Sequence, residues 1–130
     1  MRATYLDSSA LVKLAAAEPE SNALRRYLRR RDVLVSSALA RTELTRALLP
    51  RGEAGSASAQ ATLERLQLVR VNDRMLKLAG SLQPPELRSL DAIHLATALM
   101  LGRDLSAVIT YDDRMAAAGA ALGLKVAAPG

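Results

Sequence analysis

Among 13 acidic residues in this chain of 130, four sit where ordinary surface charge does not explain them. Asp7 follows Thr4-Tyr5-Leu6, a short strand-like run, and precedes Ser8-Ser9 and a helical repeat of Ala10, Leu11, Leu14 and Ala15. It therefore stands at the carboxyl end of a first strand, where open α/β sheets bind ligands, beside a helix that Ser8 or Ser9 can cap. The helix dipole is expected to lower the pKa of Asp7 and keep it ionised. An ionised carboxylate there must be solvated, paired or bound to metal. Glu43 lies on an otherwise apolar and basic helix, Asp91 in the first turn of the most apolar helix in the chain, and Asp112 just after the run Ala107–Thr110. Each has a simple account: an Asx turn for Asp7, a solvent-facing pair with Arg46 for Glu43, a dipole partner for Asp91, and a helix cap for Asp112 with Asp113 as its solvated neighbour. Together these accounts weaken, because several half-buried carboxylates on one sheet edge repel one another. A hard divalent cation resolves the repulsion. Mg²⁺ or Mn²⁺ takes carboxylate and water oxygens, and such a site polarises a phosphoryl oxygen and activates water.

The elements that must carry these acids alternate strand and helix. After the first helix, Pro19 opens a second through Ala23, Leu24, Tyr27 and Leu28. Its other face is basic (Arg25, Arg26, Arg29, Arg30, Arg31), read as solvated charge with phosphate contact as the alternative. Val33–Ser36 is a strand, and Ser36 or Ser37 caps a helix through Leu39, Leu44 and Leu48 that Pro50 ends. The segment 51–58 reads as a polar, flexible loop before a helix over 59–66. Leu68–Val71 is a strand, Asn72 caps a helix from Met75 to Ala79, and Gln83-Pro84-Pro85 forces a turn. Ser89 caps the apolar helix 90–101, which Gly102 ends. Strand Ala107–Thr110, helix 115–122 and a short strand 124–126 close the chain. This alternation argues for an α/β fold with a mostly parallel sheet between helices, and for one domain over 1–130.

Composition excludes several classes. There is no Cys and a single His, His94, so disulfides, thiolate metal sites and multi-His zinc sites are out. No apolar run approaches a membrane span, and Asp7 and Lys13 interrupt the first segment too early for a signal peptide, so a soluble, cytoplasmic protein without membrane partners is expected. The net charge of +5 favours an acidic partner such as nucleic acid, while 2% aromatic content leaves too few rings to stack bases. No Gly-x-Gly-x-x-Gly follows the first strand, and no Asp-x-Asp appears at Asp7, against dinucleotide binding and phosphatase chemistry.

Four stretches in order carry a resemblance: Tyr5–Leu14, Arg41-Thr42-Glu43-Leu44, Leu90-Asp91-Ala92-Ile93-His94-Leu95-Ala96 and Thr110-Tyr111-Asp112. The chain resembles the PIN-domain ribonucleases, and within them the VapC-type toxins of type II toxin–antitoxin pairs. The resemblance implies a PIN-like three-layer α/β/α sandwich and a Mg²⁺-dependent endoribonuclease, with Mn²⁺ as an alternative ion. Asp7, Glu43, Asp91 and Asp112 would form the catalytic, metal-holding cluster, with Asp7 and Asp91 the most direct ligands. Ser9 matches a hydroxyl position that supports the site, and Asp113 is merely adjacent. The resemblance further implies an RNA substrate, a small VapB-like antitoxin and a homodimer. Lys13, Arg46 and Arg114 are candidates for RNA backbone contact by nearness in sequence, and His94 is read as structural. The rival is an inert RNA-binding regulatory module of the same fold, which intact acids argue against, since clustered negative charge opposes phosphate binding.

Overall fold

The computed structural model describes residues 2–31 and 33–130. Five parallel strands form one sheet in the order β3-β2-β1-β4-β5: β1 Ala3–Leu6, β2 Val33–Ser37, β3 Gln67–Val69, β4 Leu105–Ile109 and β5 Val126–Ala127. The helices are α1 Ser8–Ala15, α2 Ser21–Leu28, α3 Ala40–Leu48, α4 Gly52–Glu64, α5 Asp73–Ser81, α6 Ser89–Leu99 and α7 Asp113–Ala121. Short 3-10 turns cover Leu49–Arg51 and Gly102–Asp104.

The strands bury both faces, as a parallel sheet between helices requires. Leu6, Leu34, Ala107 and Ile109 face a layer built on Leu11 and Leu14 of α1, Leu24 of α2, Leu44 of α3 and Leu63 of α4. Tyr5, Val35 and Val108 face the opposite layer, with Leu95 of α6 and Met115 of α7. Helix α5 packs on α6 through Ala79, Ala92 and Ala96. The expected α/β/α sandwich is thus present, with every strand pair parallel. The chain runs outward from β1 to β2 and β3 on one side, then crosses to β4 and β5 on the other. Strand order therefore reverses between β1 and β4, and the carboxyl ends of those two strands flank the crevice where α/β folds bind ligands.

Several local expectations change. Asp7 itself, and neither Ser8 nor Ser9, caps α1: its side chain accepts from the Ala10 N–H. Ser36 and Ser37 remain in β2. Ser36 Oγ donates to the Leu6 carbonyl (2.6 Å) and Ser37 Oγ accepts from Leu39 N (3.1 Å), so α3 starts without a side-chain cap. Ser89 is the first residue of α6, after Arg88 in the cap position. Asn72 does cap α5, accepting from Met75 N. The largest departure is 51–58, which is not a loop: Arg51 ends a 3-10 turn and 52–58 is the first half of α4. Its small residues permit close approach. A Cβ on Gly55 would stand 2.4 Å from the Leu48 carbonyl oxygen, and Ser58 Oγ donates to the Ala15 carbonyl. Packing against α1 and α3 thereby outweighs the weak intrinsic helix preference of Gly and Ser.

Candidate active site

All four acids lie at the carboxyl edge of the sheet, each on a different element. Asp7 ends β1 and caps α1. Its Oδ1 accepts from Ser9 Oγ (2.6 Å) and Ala10 N (3.0 Å), and its Oδ2 accepts from Thr110 Oγ1. The carboxylate is only 3% exposed. Burial is the larger influence and raises its pKa, while the bonds from Ser9, Thr110 and Ala10 pull it back down. This corrects the expectation from the helix dipole. The dipole acts from one terminus through its N–H groups, whereas loss of water acts on the whole carboxylate.

Ser9 and Thr110 bind Asp7 to the far side of the crevice. Ser9 Oγ also accepts from Tyr111 N (2.9 Å), and Thr110 Oγ1 accepts from Asp112 N (3.1 Å). The supporting role expected of Ser9 thus has a geometric basis. Thr110 escaped the sequence reading. The available signal was a hydroxyl residue ending an apolar strand one residue before the paired Tyr111-Asp112.

Asp112 caps α7, its Oδ1 accepting from Arg114 N (2.9 Å) and Met115 N (3.0 Å). Its Oδ2 accepts from Arg88 Nη2 (3.2 Å), and Arg88 Nε donates to Asp91 Oδ2 (3.1 Å). One guanidinium, 68% exposed, therefore spans two of the four acids, which hold its pKa up. The simple accounts of Asp91 and Asp112 are consequently part of the truth: both sit at helix N-termini, and Asp112 caps. Yet each also turns an oxygen towards a shared positive charge. Glu43, from α3, shares a hydrogen bond with His94, its Oε1 lying 2.7 Å from Nε2. Its partner is therefore not Arg46, which is solvent-exposed.

The other nominated residues divide between this cluster and the rest of the surface. Lys13 is committed to Glu20 (2.6 Å) and Glu18 (3.3 Å), with its Nζ 5.0 Å from the Tyr111 ring centre, so it is not a free contact for RNA. Arg114 and Asp113 are exposed and line a cavity of about 310 Å³ with Arg88 and Asp112. A larger cavity of about 630 Å³ lies between Pro84–Leu87 and α7. Apart from Glu86 and Arg114 its walls are apolar, and it includes none of the four acids, whereas the smaller one includes Asp112. The basic face of α2 leads into β2 and so stands at the amino-terminal edge, away from the acids.

In chemical type the donors fit a hard divalent ion. They are carboxylate oxygens, the chain has no thiol, and both nitrogens of its one imidazole are taken. Arg88 shows that the Asp91–Asp112 gap accepts positive charge. Among the described residues, however, no three acidic or imidazole groups stand drawn together as a ready-made cage. A cation held by Asp91 and Asp112 would compete with Arg88 for their oxygens.

Comparison with known proteins agrees with this architecture. Ribonuclease VapC46 of Mycobacterium tuberculosis is 60% identical over 129 residues, covering 99% of each chain. Ribonuclease VapC35 of the same organism is 43% identical over 130 residues, covering 97% of this chain and 96% of the relative. The crystal structure of Mycobacterium tuberculosis VapC20, described as a Sarcin-Ricin loop cleaving toxin, shares the fold with a TM-score of 0.73. That match covers 89% of this chain and 95% of the other at 19% identity. The PIN domain family model matches residues 4–121, from within the central strand to the last residue of α7. With nine-tenths of the chain inside that match, and with relatives this close, the protein belongs to the PIN-domain family.

Proposed function

We propose that this protein is a metal-dependent endoribonuclease, the toxin of a VapBC-type pair, and that Asp7, Glu43, Asp91 and Asp112 form its catalytic and metal-holding cluster. The observation that carries this reading is the placement of four carboxylates from separate elements along the carboxyl edge of the sheet, one of them buried among three hydrogen-bond donors. Mg²⁺ suits the donor set, with Mn²⁺ able to replace it. When bound, such an ion polarises the scissile phosphate and lowers the pKa of a coordinated water.

The chain's own residues supply the rest. Ser9, Thr110 and the Ala10 N–H hold Asp7 in one orientation, so little is lost in ordering it for the ion. Glu43 keeps Oε1 on His94 and offers Oε2 to the cluster, where it takes the proton of the attacking water. Arg88, released from Asp91 and Asp112, remains at the rim as an exposed guanidinium for an RNA phosphate. Arg114, exposed beside it, extends the same basic rim. RNA is the substrate class, consistent with the net charge of +5. A short VapB-like antitoxin covering the acids, and a homodimer, complete the reading.

The test is cleavage of total RNA by purified protein with Mg²⁺, with chelator, and with Asp91→Asn. Cleavage that needs the ion and disappears in the variant supports the proposal. Cleavage that survives both places the activity elsewhere. Absence of cleavage together with absence of divalent-ion binding favours the inert RNA-binding module.

A further inference from the structure

His94 is the only histidine in the chain and is fully buried, yet the hydrolysis proposed above makes no direct use of it. Both ring nitrogens are engaged at short range. The Tyr5 hydroxyl lies 2.7 Å from Nδ1, and Nε2 lies 2.7 Å from Glu43 Oε1. Tyr5 is also fully buried, and its ring meets the imidazole edge-on, with centroids 5.8 Å apart and planes at 72°.

The donors can be assigned. A phenol carries its proton at neutral pH, and this one is buried with its hydroxyl against Nδ1. A phenol with a proton facing a ring nitrogen donates it, which makes Nδ1 the acceptor and puts the ring hydrogen on Nε2. That N–H then points at a carboxylate, which can only accept when ionised. The three residues come from β1, α6 and α3, and α3 belongs to the opposite helical layer from α6. The relay therefore passes over the sheet edge and joins the two layers at the acids. Among the described residues, His94 is the one side-chain hydrogen-bond partner of Glu43.

We propose that Tyr5 and His94 are positioning residues: a buried relay, Tyr5 Oη–H to Nδ1 and Nε2–H to Glu43 Oε1, that holds the Glu43 carboxylate in one orientation and so sets its affinity for the divalent ion. This rests on the acid-cluster reading above. It differs from a purely structural role for a buried histidine, because the proposal assigns the effect to one N–H donor and not to filled volume.

Two measurements test it. The first is a long-range ¹H–¹⁵N correlation spectrum of the labelled protein, unambiguous because there is one imidazole. The Nε2–H tautomer is expected; an Nδ1–H tautomer overturns the relay. The second is Mn²⁺ binding by calorimetry to wild type, His94→Leu, His94→Gln and Tyr5→Phe, each first shown to be folded by circular dichroism. Leu fills the site without a donor, while Gln keeps an N–H directed at Glu43. Loss of an outer hydrogen-bond partner costs about tenfold or more in metal affinity, so His94→Leu should bind at least that much more weakly and His94→Gln should recover most of the loss. A folded His94→Leu that binds like wild type overturns the proposal, as does a Gln variant as impaired as Leu. Should His94→Leu not fold, Tyr5→Phe decides in its place. It deletes one hydroxyl and is expected to lose affinity and the fixed tautomer, and retention of both overturns the relay. If wild type itself binds no Mn²⁺, the acid-cluster reading fails, and the relay's effect on metal affinity with it.

Discussion

Replacing Thr110 with Val keeps the shape of a side chain that is 1% exposed and removes only its hydroxyl. That hydroxyl donates to Asp7 Oδ2 and accepts from the Asp112 N–H at 3.1 Å. A hydrogen bond to a charged group contributes about 1.5–3 kcal/mol and a neutral one about 0.5–1.5 kcal/mol, so Thr110→Val should cost about 2–4.5 kcal/mol. An unfolding entropy of about 2.1 cal/mol/K per residue, over 130 residues, is about 0.27 kcal/mol/K, which translates the loss into a Tm lower by about 7–17 °C. The larger share belongs to ionised Asp7 and so depends on pH. The folded pKa of Asp7 lies above its ordinary value of 3.8, and Thr110 is one of the groups that restrains the rise. A carboxyl whose folded pKa is raised holds its proton more tightly in the folded state. Its stabilising contribution is complete below the unfolded pKa and is lost as pH climbs through the folded one. Removing the hydroxyl raises the folded value further and deepens that loss. The cost of Thr110→Val should therefore be full at pH 8 and much smaller at pH 4. Urea denaturation of both metal-free proteins at the two pH values, fitted with a common m, measures it. Equal costs at both pH values would refute the link to Asp7, and no cost at either would refute the hydrogen-bonded web.

Three further outcomes follow from the same geometry. Asp7→Asn should raise the Tm of the metal-free protein at pH 7, because it removes a buried charge whose raised folded pKa lowers stability there; Mg²⁺ should stabilise wild type but not this variant. Arg88→Ala should tighten Mn²⁺ binding about two- to fivefold at low ionic strength and less in high salt, since a competing exposed cation leaves Asp91 and Asp112; calorimetry showing equal or weaker binding would contradict this. Gly55→Ala and Gly80→Ala should differ in sign. The first drives a Cβ to 2.4 Å from the Leu48 carbonyl oxygen and should destabilise by about 1–3 kcal/mol, while the second meets nothing within 4 Å and should stabilise by up to about 1 kcal/mol, both read by urea denaturation.

The shared edge of Asp7, Asp91 and Asp112 was legible because each stands near the end or the start of an apolar run, and strand–helix alternation fixes where such ends go. Asp7 and Asp112 follow β1 and β4, and Asp91 starts α6, so all three reach one edge without any knowledge of side-chain contacts. The hydrogen-bonding detail was not legible, because its partners are remote in sequence. Thr110 meets Asp7 across 103 positions, and His94 meets Glu43 across 51. Local pattern gave the wrong sign for the Asp7 pKa for the same reason: the dipole of α1 is local, but burial comes from the assembled sheet. The segment 51–58 misled in another way. Gly and Ser mark loops by intrinsic preference, yet here their small size lets α4 approach α3 and α1 closely. His94 read correctly as a packed histidine, and its two partners are what sequence could not supply.

The pairing of β1 with β4 joins residues 3–6 to residues 105–109, segments far apart in the chain. During synthesis the chain emerges from its first residue at about 5–20 residues per second. Asp7 therefore leaves the ribosome well before Thr110 and Asp112, and waits for them. Until then the carboxylate has no hydroxyl across the crevice, no neighbouring strand on that side and no partner acid from α7. A ribosome stalled before residue 105 holds a fragment that cannot assemble the edge, however well α1 to α4 have collapsed. The order of translation thus acts as a timer on this protein. Whatever chemistry the acid edge carries out, it begins only after residues 105–112 have been made.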